Sequence, residues 1–246
     1  MHIYAVIIGT EILNGRREDK HFAFLRDALI QYGYELYTSF IIKDDPNLIE
    51  DVYTLIKKDP QAVMFSFGGI GSTPDDLTRD IASKVFREAS LQRNEEFFNA
   101  IIEKFGEEAY PHRIHMADLP PNSTLLKNPV NNMSGFALDQ RFFFMPGFPQ
   151  MSHPMVEDIL KNVLGKNKAN ARLTLKAQTS ENELIHLMNE TPKSIELSSL
   201  PILNGEKREV ELSLSGENQD ILQKEFQRYI DFLEKEKIKY EILKSK

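Results

Sequence analysis

Cysteine is absent from all 246 residues, which excludes disulfides, a thiolate nucleophile and cysteine-ligated zinc or iron–sulfur centres. Cationic charge is also short. The 30 Lys and Arg face 37 Asp and Glu, a formal charge of −7. That argues against non-specific nucleic-acid binding, which needs a basic stripe to displace phosphate counterions. No segment reaches the roughly 18 uninterrupted apolar residues of a membrane-spanning helix. The opening MHIYAVIIGTEIL has no basic n-region and no small-residue cleavage site, and Glu11 interrupts its apolar run, so it reads as a core strand rather than a signal peptide. No Gly-Lys-Ser/Thr occurs, so there is no P-loop. Internal repeats and low-complexity tracts are missing too. These absences lead to the expectation of a cytoplasmic protein with no membrane and no nucleic-acid partner.

What is present describes an ordinary globular chain, 41% hydrophobic and 27% charged. At roughly 150 residues per domain, the length suggests one or two domains. Residues 3–9, IYAVIIG, are a short β-branched run, as in a buried parallel strand. Asp19 then precedes a stretch with Phe22, Leu25, Leu29 and Ile30 at helical spacing, closed by Gly33. A second strand is expected over 34–42. Pro46 opens a helix carrying Leu48, Ile49, Val52, Leu55 and Ile56. AVMFSF at 62–67 is a third strand running into Gly68-Gly69-Ile70-Gly71, and a helix follows from 76 to 88. That order calls for right-handed crossovers and a doubly wound, mostly parallel sheet.

Beyond this lie a helix over 94–105, a loop over 111–123, three short strands (TLLKN, GFALD, RFFFM), the turn Pro146-Gly147-Phe148-Pro149 and a helix over 150–163 ending at Gly165. The polar KNKAN at 166–170 marks a domain boundary. The remainder reads as strand 172–178, helix 181–190, strand 194–199, a turn at Asn204-Gly205, strand 209–215, helix 217–236 and strand 238–243. This is a small α+β sandwich with helices on one face of its sheet.

Chemistry is expected where strands end. In Phe67-Gly68-Gly69-Ile70-Gly71-Ser72-Thr73-Pro74-Asp75-Asp76-Leu77-Thr78, a glycine-rich turn opens a helix. There backbone N–H groups can approach a phosphate and the helix terminus favours an anion. Ser72, Thr73 and Thr78 offer hydroxyls. Carboxylates beside an anion are useful for a divalent cation, a water or a ribose. The plain alternative is a strand–helix turn with an Asp cap. The first βα loop, Ile8-Gly9-Thr10-Glu11, and Asp44-Asp45 after the second strand fall on the same sheet edge. Glu11, Asp44, Asp75 and Asp76 therefore converge, although a solvated acidic rim would read the same way. His112 and His115 have a spacing that a metal could use, but a loop pair without a third ligand is a weak signal, and His153 is no stronger. Phe142-Phe143-Phe144 reads as a buried strand, and LQKEFQRYIDFLEKEK as a helix with a solvated face.

The segments IGTEILNGRREDKH (8–21), IIKDD (41–45), SFGGIGSTPDDLT (66–78), NPVNNMSGF (128–136) and MPGFPQMSHPM (145–155) resemble the CinA (competence/damage-inducible) family. Its pattern runs IGDELLSGR-x-x-D-x-N, V-x-D, TTGGLGPTPDDLT, NPVGxxPGF and LPGVPxEM-x-PM. The resemblance implies a MoaB/Mog-like three-layer α/β domain over 1–166 and a KH-like α+β domain over 171–246. No GxxG loop marks the latter as an RNA binder. It further implies a pocket for a phosphorylated pterin or nucleotide. Related proteins bind molybdopterin and can adenylylate it, CinA first domains are associated with metal-dependent ADP-ribose pyrophosphatase activity, and a similar domain is fused to FAD synthetase elsewhere. The family's nicotinamide-nucleotide amidase domain has no room in this sequence, and that activity is not expected.

On this resemblance the expected reaction is hydrolysis of a nucleotide pyrophosphate, ADP-ribose by preference. The rivals are a non-catalytic molybdopterin or nucleotide binding module and a pterin adenylyl transferase. Asp44 and Asp76 would be the catalytic residues, as ligands of a magnesium, manganese or cobalt ion that lowers the pKa of the attacking water. Gly68, Gly69, Gly71, Ser72 and Thr73 would hold the phosphates, with Asp75 and Glu11 as further metal or ribose contacts. Pro146 and Gly147 would line the pocket by backbone approach, and Gly9, Thr78 and Gly135 complete the expected binding set. A homodimer is expected. Three departures stand out: Thr10 in place of an acid, Phe67 in place of a threonine hydroxyl, and Asn131-Asn132-Met133-Ser134 before Gly135.

Overall fold

A computed structural model describes residues 1–204 and 207–243. Its contacts divide the chain into two compact units, Met1–Asn167 and Lys168–Lys246. In the first, the order is β1 (His2–Ile8), α1 (Thr10–Leu13), α2 (His21–Gln31), β2 (Leu36–Ile42), α3 (Pro46–Lys57), β3 (Ala62–Phe67), α4 (Thr78–Arg87), β4 (Gln92–Arg93), α5 (Glu95–Phe105), β5 (Asp118–Leu119), β6 (Thr124–Leu126), β7 (Gly135–Leu138), β8 (Phe142–Met145) and α6 (Pro149–Ile159). A single six-stranded sheet runs β2-β1-β3-β8-β7-β6. β2, β1, β3 and β8 are parallel neighbours. The hairpin β6-β7 then pairs antiparallel with its neighbours and ends the sheet.

Period-two alternation sorts the strand side chains into two cores. Tyr4, Val6 and Ile8 of β1, with Met64, Phe142 and Phe144, meet the buried faces of α3, α4 and α5. Ile3, Ala5, Ile7, Phe65, Phe67 and Phe143 meet α2 and α6 on the opposite face. Helices on both faces of a mostly parallel sheet make three layers, as the spacing predicts. The Phe142-Phe143-Phe144 run is a central strand of that sheet, its rings divided between the two cores.

Local chemistry explains the helix starts. Asp45 caps α3 by accepting from the Leu48 amide at 2.9 Å, with Pro46 in the first turn. Such a cap stabilises by about 1 kcal/mol. Asn94 does the same for α5 through the Phe97 amide at 2.9 Å, and Asp19 accepts from the amides of His21 and Phe22 at 2.8 and 3.1 Å.

The structure departs from the sequence expectations in several places. Thr10–Leu13 is a helical turn, not a loop. α4 begins at Thr78 because Thr73–Asp76 folds into its own turn, with the Asp76 amide bonded to the Thr73 carbonyl at 3.0 Å. The loop expected over 111–123 contains a 3₁₀ turn, Arg113–Ala117, and the short strand β5, which pairs with β4. α6 continues into a π-helical turn, Leu160–Leu164. On α2 only Leu25 and Leu29 of the expected apolar face are buried, while Phe22 and Ile30 are exposed, as are Leu48 and Leu55 on α3.

The second unit is β9 (Ala171–Ala177), α7 (Glu181–Glu190), β10 (Glu196–Asn204), β11 (Lys207–Gly216), α8 (Gln219–Lys235) and β12 (Tyr240–Leu243). Its antiparallel sheet has the order β10-β11-β9-β12, and Leu175, Leu212 and Leu214 pack with Leu184, Phe226, Tyr229 and Leu233 from the two helices. The expected turn at Asn204-Gly205 reaches outside the described residues. Among the described residues no helix is long and apolar enough to cross a membrane.

Candidate functional site

β1, β2 and β3 run parallel, so their C-terminal ends open on one edge of the sheet. The approach of β1 to the glycine turn dictates glycine at 68. Its φ is +102°, and a Cβ there would stand 2.5 Å from the Ile8 carbonyl oxygen. The turn is then closed from α4. The Thr78 amide donates to the Gly69 carbonyl at 3.0 Å, and its buried hydroxyl to the Gly68 carbonyl at 3.0 Å.

Arg79 completes this lock. Its side chain is 6% exposed, and one guanidinium nitrogen donates to the Ile70 carbonyl and, at 2.6 Å, to the Gly71 carbonyl. Burial lowers its pKa, against the pull of Asp76, Asp80 and Asp118. Its Nε has no partner. A cation in the first turn of a helix opposes the macrodipole, so its placement there is a signal of another role, and pinning the loop carbonyls is that role.

Asp76 shapes the next segment. Its Oδ2 accepts from the Thr73 amide at 2.8 Å and the Thr73 hydroxyl at 2.6 Å. A Cβ on Gly71 would sit 2.5 Å from that same oxygen, so glycine leaves the space the carboxylate fills. Across the edge, Asp44 Oδ2 accepts from the Thr10 amide at 2.7 Å and the Thr10 hydroxyl at 2.8 Å. Arg17 lies 3.8 Å from Glu11 and spreads its guanidinium over the Phe148 ring, 5.3 Å from the centroid.

These loops enclose a cavity of about 450 Å³, within the range of small-molecule sites. Of the expected residues it gathers Glu11, Asp44, Gly68, Gly69, Gly71, Ser72, Thr73, Asp75, Asp76, Pro146 and Gly147. Three expected residues stand behind the wall. Gly9 is buried in the β1 turn, its amide bonded to the Ile42 carbonyl at 3.0 Å. Thr78 spends its hydroxyl on the loop. Gly135 is inside the sheet, where a Cβ would collide with the Phe144 carbonyl.

Phe67 is a correction of another kind. It is wholly buried in the α2–α6 core, because alternation turns position 67 away from the cavity. A hydroxyl there would not reach a ligand. Thr10 likewise reaches Asp44 itself. The departure at 131–134 does face the site, since Met133 and Ser134 line it. Sequence reasoning missed Arg17, Phe97, Met116, Phe148 and Met151, which complete the wall. Phe148 carried a signal by sitting inside the Pro-Gly-Phe-Pro turn, and Arg17 and Met151 by falling within the motif segments 8–21 and 145–155, whereas Phe97 and Met116 carried none.

His112 and His115 line an adjacent cavity of about 730 Å³ that shares Ser72, Thr73 and Asp76. His115 is paired with Asp118 at 2.8 Å. His153 is stacked on Phe24 between α2 and α6.

The arrangement is two-sided. The Gly69, Ile70, Gly71 and Ser72 amides suit an anion, whereas the Gly68, Thr73 and Thr78 amides are already spent on Met145, Asp76 and Gly69. Phe97, Met116, Met133, Phe148 and Met151 suit a planar ring, through dispersion and sulfur–aromatic contacts. Yet the wall carries four carboxylates against the single guanidinium of Arg17.

A glycine-turn pocket at the strand ends of a three-layer sheet defines a class of binding domain. The chain belongs to the family described as "Probable molybdopterin binding domain", whose model matches residues 4–166. It is similar to the CinA-like protein of Nostoc punctiforme, 31% identical over 160 residues, covering 62% of this chain and 38% of that one. The CinA-like protein of Citrifermentans bemidjiense is 30% identical over 185 residues, covering 72% and 44%. The chain thus spans less than half the length of these relatives. The crystal structure of the protein CinA from Thermoplasma acidophilum superposes with a TM-score of 0.58 at 28% identity, over 65% of this chain and 98% of that one.

Proposed function

We propose that this pocket binds a nucleotide pyrophosphate, ADP-ribose first among candidates, and hydrolyses it with a divalent cation. The observation that carries the reading is the excess of carboxylates, Glu11, Asp44, Asp75 and Asp76, beside a loop built to accept an anion. Phosphate and carboxylate repel unless a cation lies between them.

The donor set fits such an ion. Carboxylate oxygens suit magnesium or manganese, and magnesium is commonly held by one or two carboxylates together with substrate phosphates. Among the described residues no group of three or more His, Asp or Glu forms a self-contained cage, so the substrate's own oxygens would complete the shell. Asp44 and Asp76 would hold the ion, each with Oδ2 anchored by a threonine. When bound, it neutralises phosphate charge and lowers the pKa of water. The protein's own part is to hold phosphate oxygens on the glycine-turn amides and to seat the base against Phe97, Met116 and Met133. Water adds to one phosphorus, the P–O–P bridge breaks, and AMP and ribose 5-phosphate leave.

The test is AMP release from ADP-ribose with magnesium, manganese or cobalt, beside a chelator control. Asp76→Asn keeps an oxygen for Thr73 but weakens cation binding, so it should fold normally and lose turnover. An unaltered rate in that variant would falsify the metal role. The second reading, a non-catalytic molybdopterin or nucleotide binding module, is supported by the family description. It expects a ligand-induced thermal shift that a chelator leaves unchanged, with no product after long incubation.

A further inference from the structure

Ser72, Thr73 and Asp76 line two cavities at once, the one described above and the adjacent one of about 730 Å³. The second is also lined by Arg79, a residue only 6% exposed. Nη1 alone makes both hydrogen bonds of that guanidinium, to the Ile70 and Gly71 carbonyls. Nε is buried with no partner, and Nη2 has none among the described residues. A guanidinium has five N–H donors, and leaving them unmet in a buried place is costly. Arg79 therefore keeps donors for a group that the protein itself does not supply.

The rest of the lining narrows what that group is. Asp76, Asp80 and Glu108 bring three carboxylates against the two guanidinium groups of Arg79 and Arg113. Arg113 is already engaged, donating to the Glu108 carbonyl at 2.9 Å and lying 3.3 Å from its carboxylate. The cavity thus has no surplus of positive charge with which to select a second anion. Asp80 and the ring of His112 have no side-chain hydrogen bond among the described residues, and both line the cavity. Unused acceptors beside unused donors suit a neutral group rich in hydroxyls. Each hydroxyl donates to a carboxylate and accepts from a guanidinium or imidazole N–H, and one carboxylate can take both hydroxyls of a cis-diol. A pentose is such a group.

We infer that this second cavity is a sugar subsite: it takes the pentose beyond the pyrophosphate, with Arg79 Nη2 and His112 donating to its oxygens and Asp80 accepting from its hydroxyls. The inference rests on the proposed function for the identity of the ligand. It puts Asp76 at the boundary between the two halves of that ligand, with the nucleoside on one side and the pentose on the other. Hydrolysis there leaves AMP in the first cavity and ribose 5-phosphate in the second. Arg79, His112 and Asp80 then set specificity, because a ligand without the pentose leaves their polar groups unmet.

Two analogues of ADP-ribose with a methylene bridge between the phosphates are the probes, since a P–C–P bridge resists hydrolysis. One keeps the terminal pentose and the other carries a methyl ester in its place, so base, phosphates and charge are the same. With magnesium, the wild-type protein should bind the pentose form roughly tenfold more tightly, the scale of one hydrogen bond to a charged group. Asp80→Ala and His112→Ala, both at exposed positions, should each remove most of that preference and leave the affinity for the methyl ester unchanged. In a separate titration, NMR follows the Asp80, His112 and Arg113 amides of the wild-type protein. Ribose 5-phosphate should shift them, and inorganic phosphate should not.

Equal affinity for the two analogues would overturn the inference, and so would variants that weaken both alike. If neither analogue binds, the nucleotide reading falls by itself and the NMR titration decides the second cavity. Shifts with ribose 5-phosphate alone uphold the sugar subsite. Amides that stay still, or that respond equally to inorganic phosphate, overturn it.

Discussion

Thr10 and Asp44, 34 residues apart, hold each other by three hydrogen bonds. The Thr10 amide and hydroxyl donate to Asp44 Oδ2 at 2.7 and 2.8 Å, and the Asp44 amide donates to the Thr10 hydroxyl at 3.2 Å. This clasp joins the loops after β1 and β2 at the cavity and aims one carboxylate. Thr10→Val keeps the shape and the backbone bond but removes the hydroxyl. It should lower stability by about 1 kcal/mol and weaken ligand binding, while Thr10→Ser stays near wild type. Urea unfolding and ligand titration of the two variants check this.

Arg79 predicts a larger effect. Arg79→Met removes the buried donor from the half-buried Ile70 and Gly71 carbonyls, and hydrogen bonds from a charged group contribute about 1.5–3 kcal/mol. We expect a loss of at least about 2 kcal/mol in chemical denaturation, with Arg79→Lys milder because an ammonium retains the charge and some donors. Equal stability for wild type and the methionine variant would show that the loop does not depend on Arg79.

The glycines separate folding from function. Gly68→Ala forces a side chain onto φ +102° and against the Ile8 carbonyl, so it should destabilise by roughly 1–3 kcal/mol. Gly71→Ala meets only the Asp76 carboxylate, which can swing away at the expense of its Thr73 bonds. Its melting temperature should change little while binding or turnover falls. Thermal melts paired with activity assays distinguish the two patterns.

Asp118 makes the acid side of the stability profile testable. Burial acts to raise its pKa, but hydrogen bonds from Arg93 and His115 outweigh burial and hold it below 3.8. A lowered carboxyl stabilises above its unfolded value and loses that contribution as pH falls through the folded one. The stability gap between wild type and Asp118→Asn should therefore be full above 3.8 and shrink below it. A gap independent of pH would assign the Asp118 contribution to hydrogen bonding alone.

Much of this protein is legible in one dimension because its signals are local. β1 and β3 declare themselves as short apolar runs. The glycine turn is visible because a close backbone approach excludes a Cβ, and α3 because Asp45 and Pro46 are a cap and a first-turn residue wherever they occur. From these follow the parallel order of strands and the edge on which Glu11, Asp44 and Asp76 gather.

Other features depend on what arrives from elsewhere in the chain. Whether Phe22 and Ile30 are covered depends on how far α6 reaches across α2, and helical spacing carries no record of that. Met116, Met133 and Met151 are ordinary apolar residues until three separate segments bring them to one wall. Phe67 looked like a lost phosphate contact in the motif, yet the strand's alternation turned it inward onto His21. The sequence by itself determined the strands, the glycine turn and the sheet edge, since backbone sterics and hydrophobic periodicity act over a few residues. Only the tertiary structure decided which carboxylates are anchored, which rings face the cavity and what holds its wall, because those depend on long-range packing that no local rule encodes.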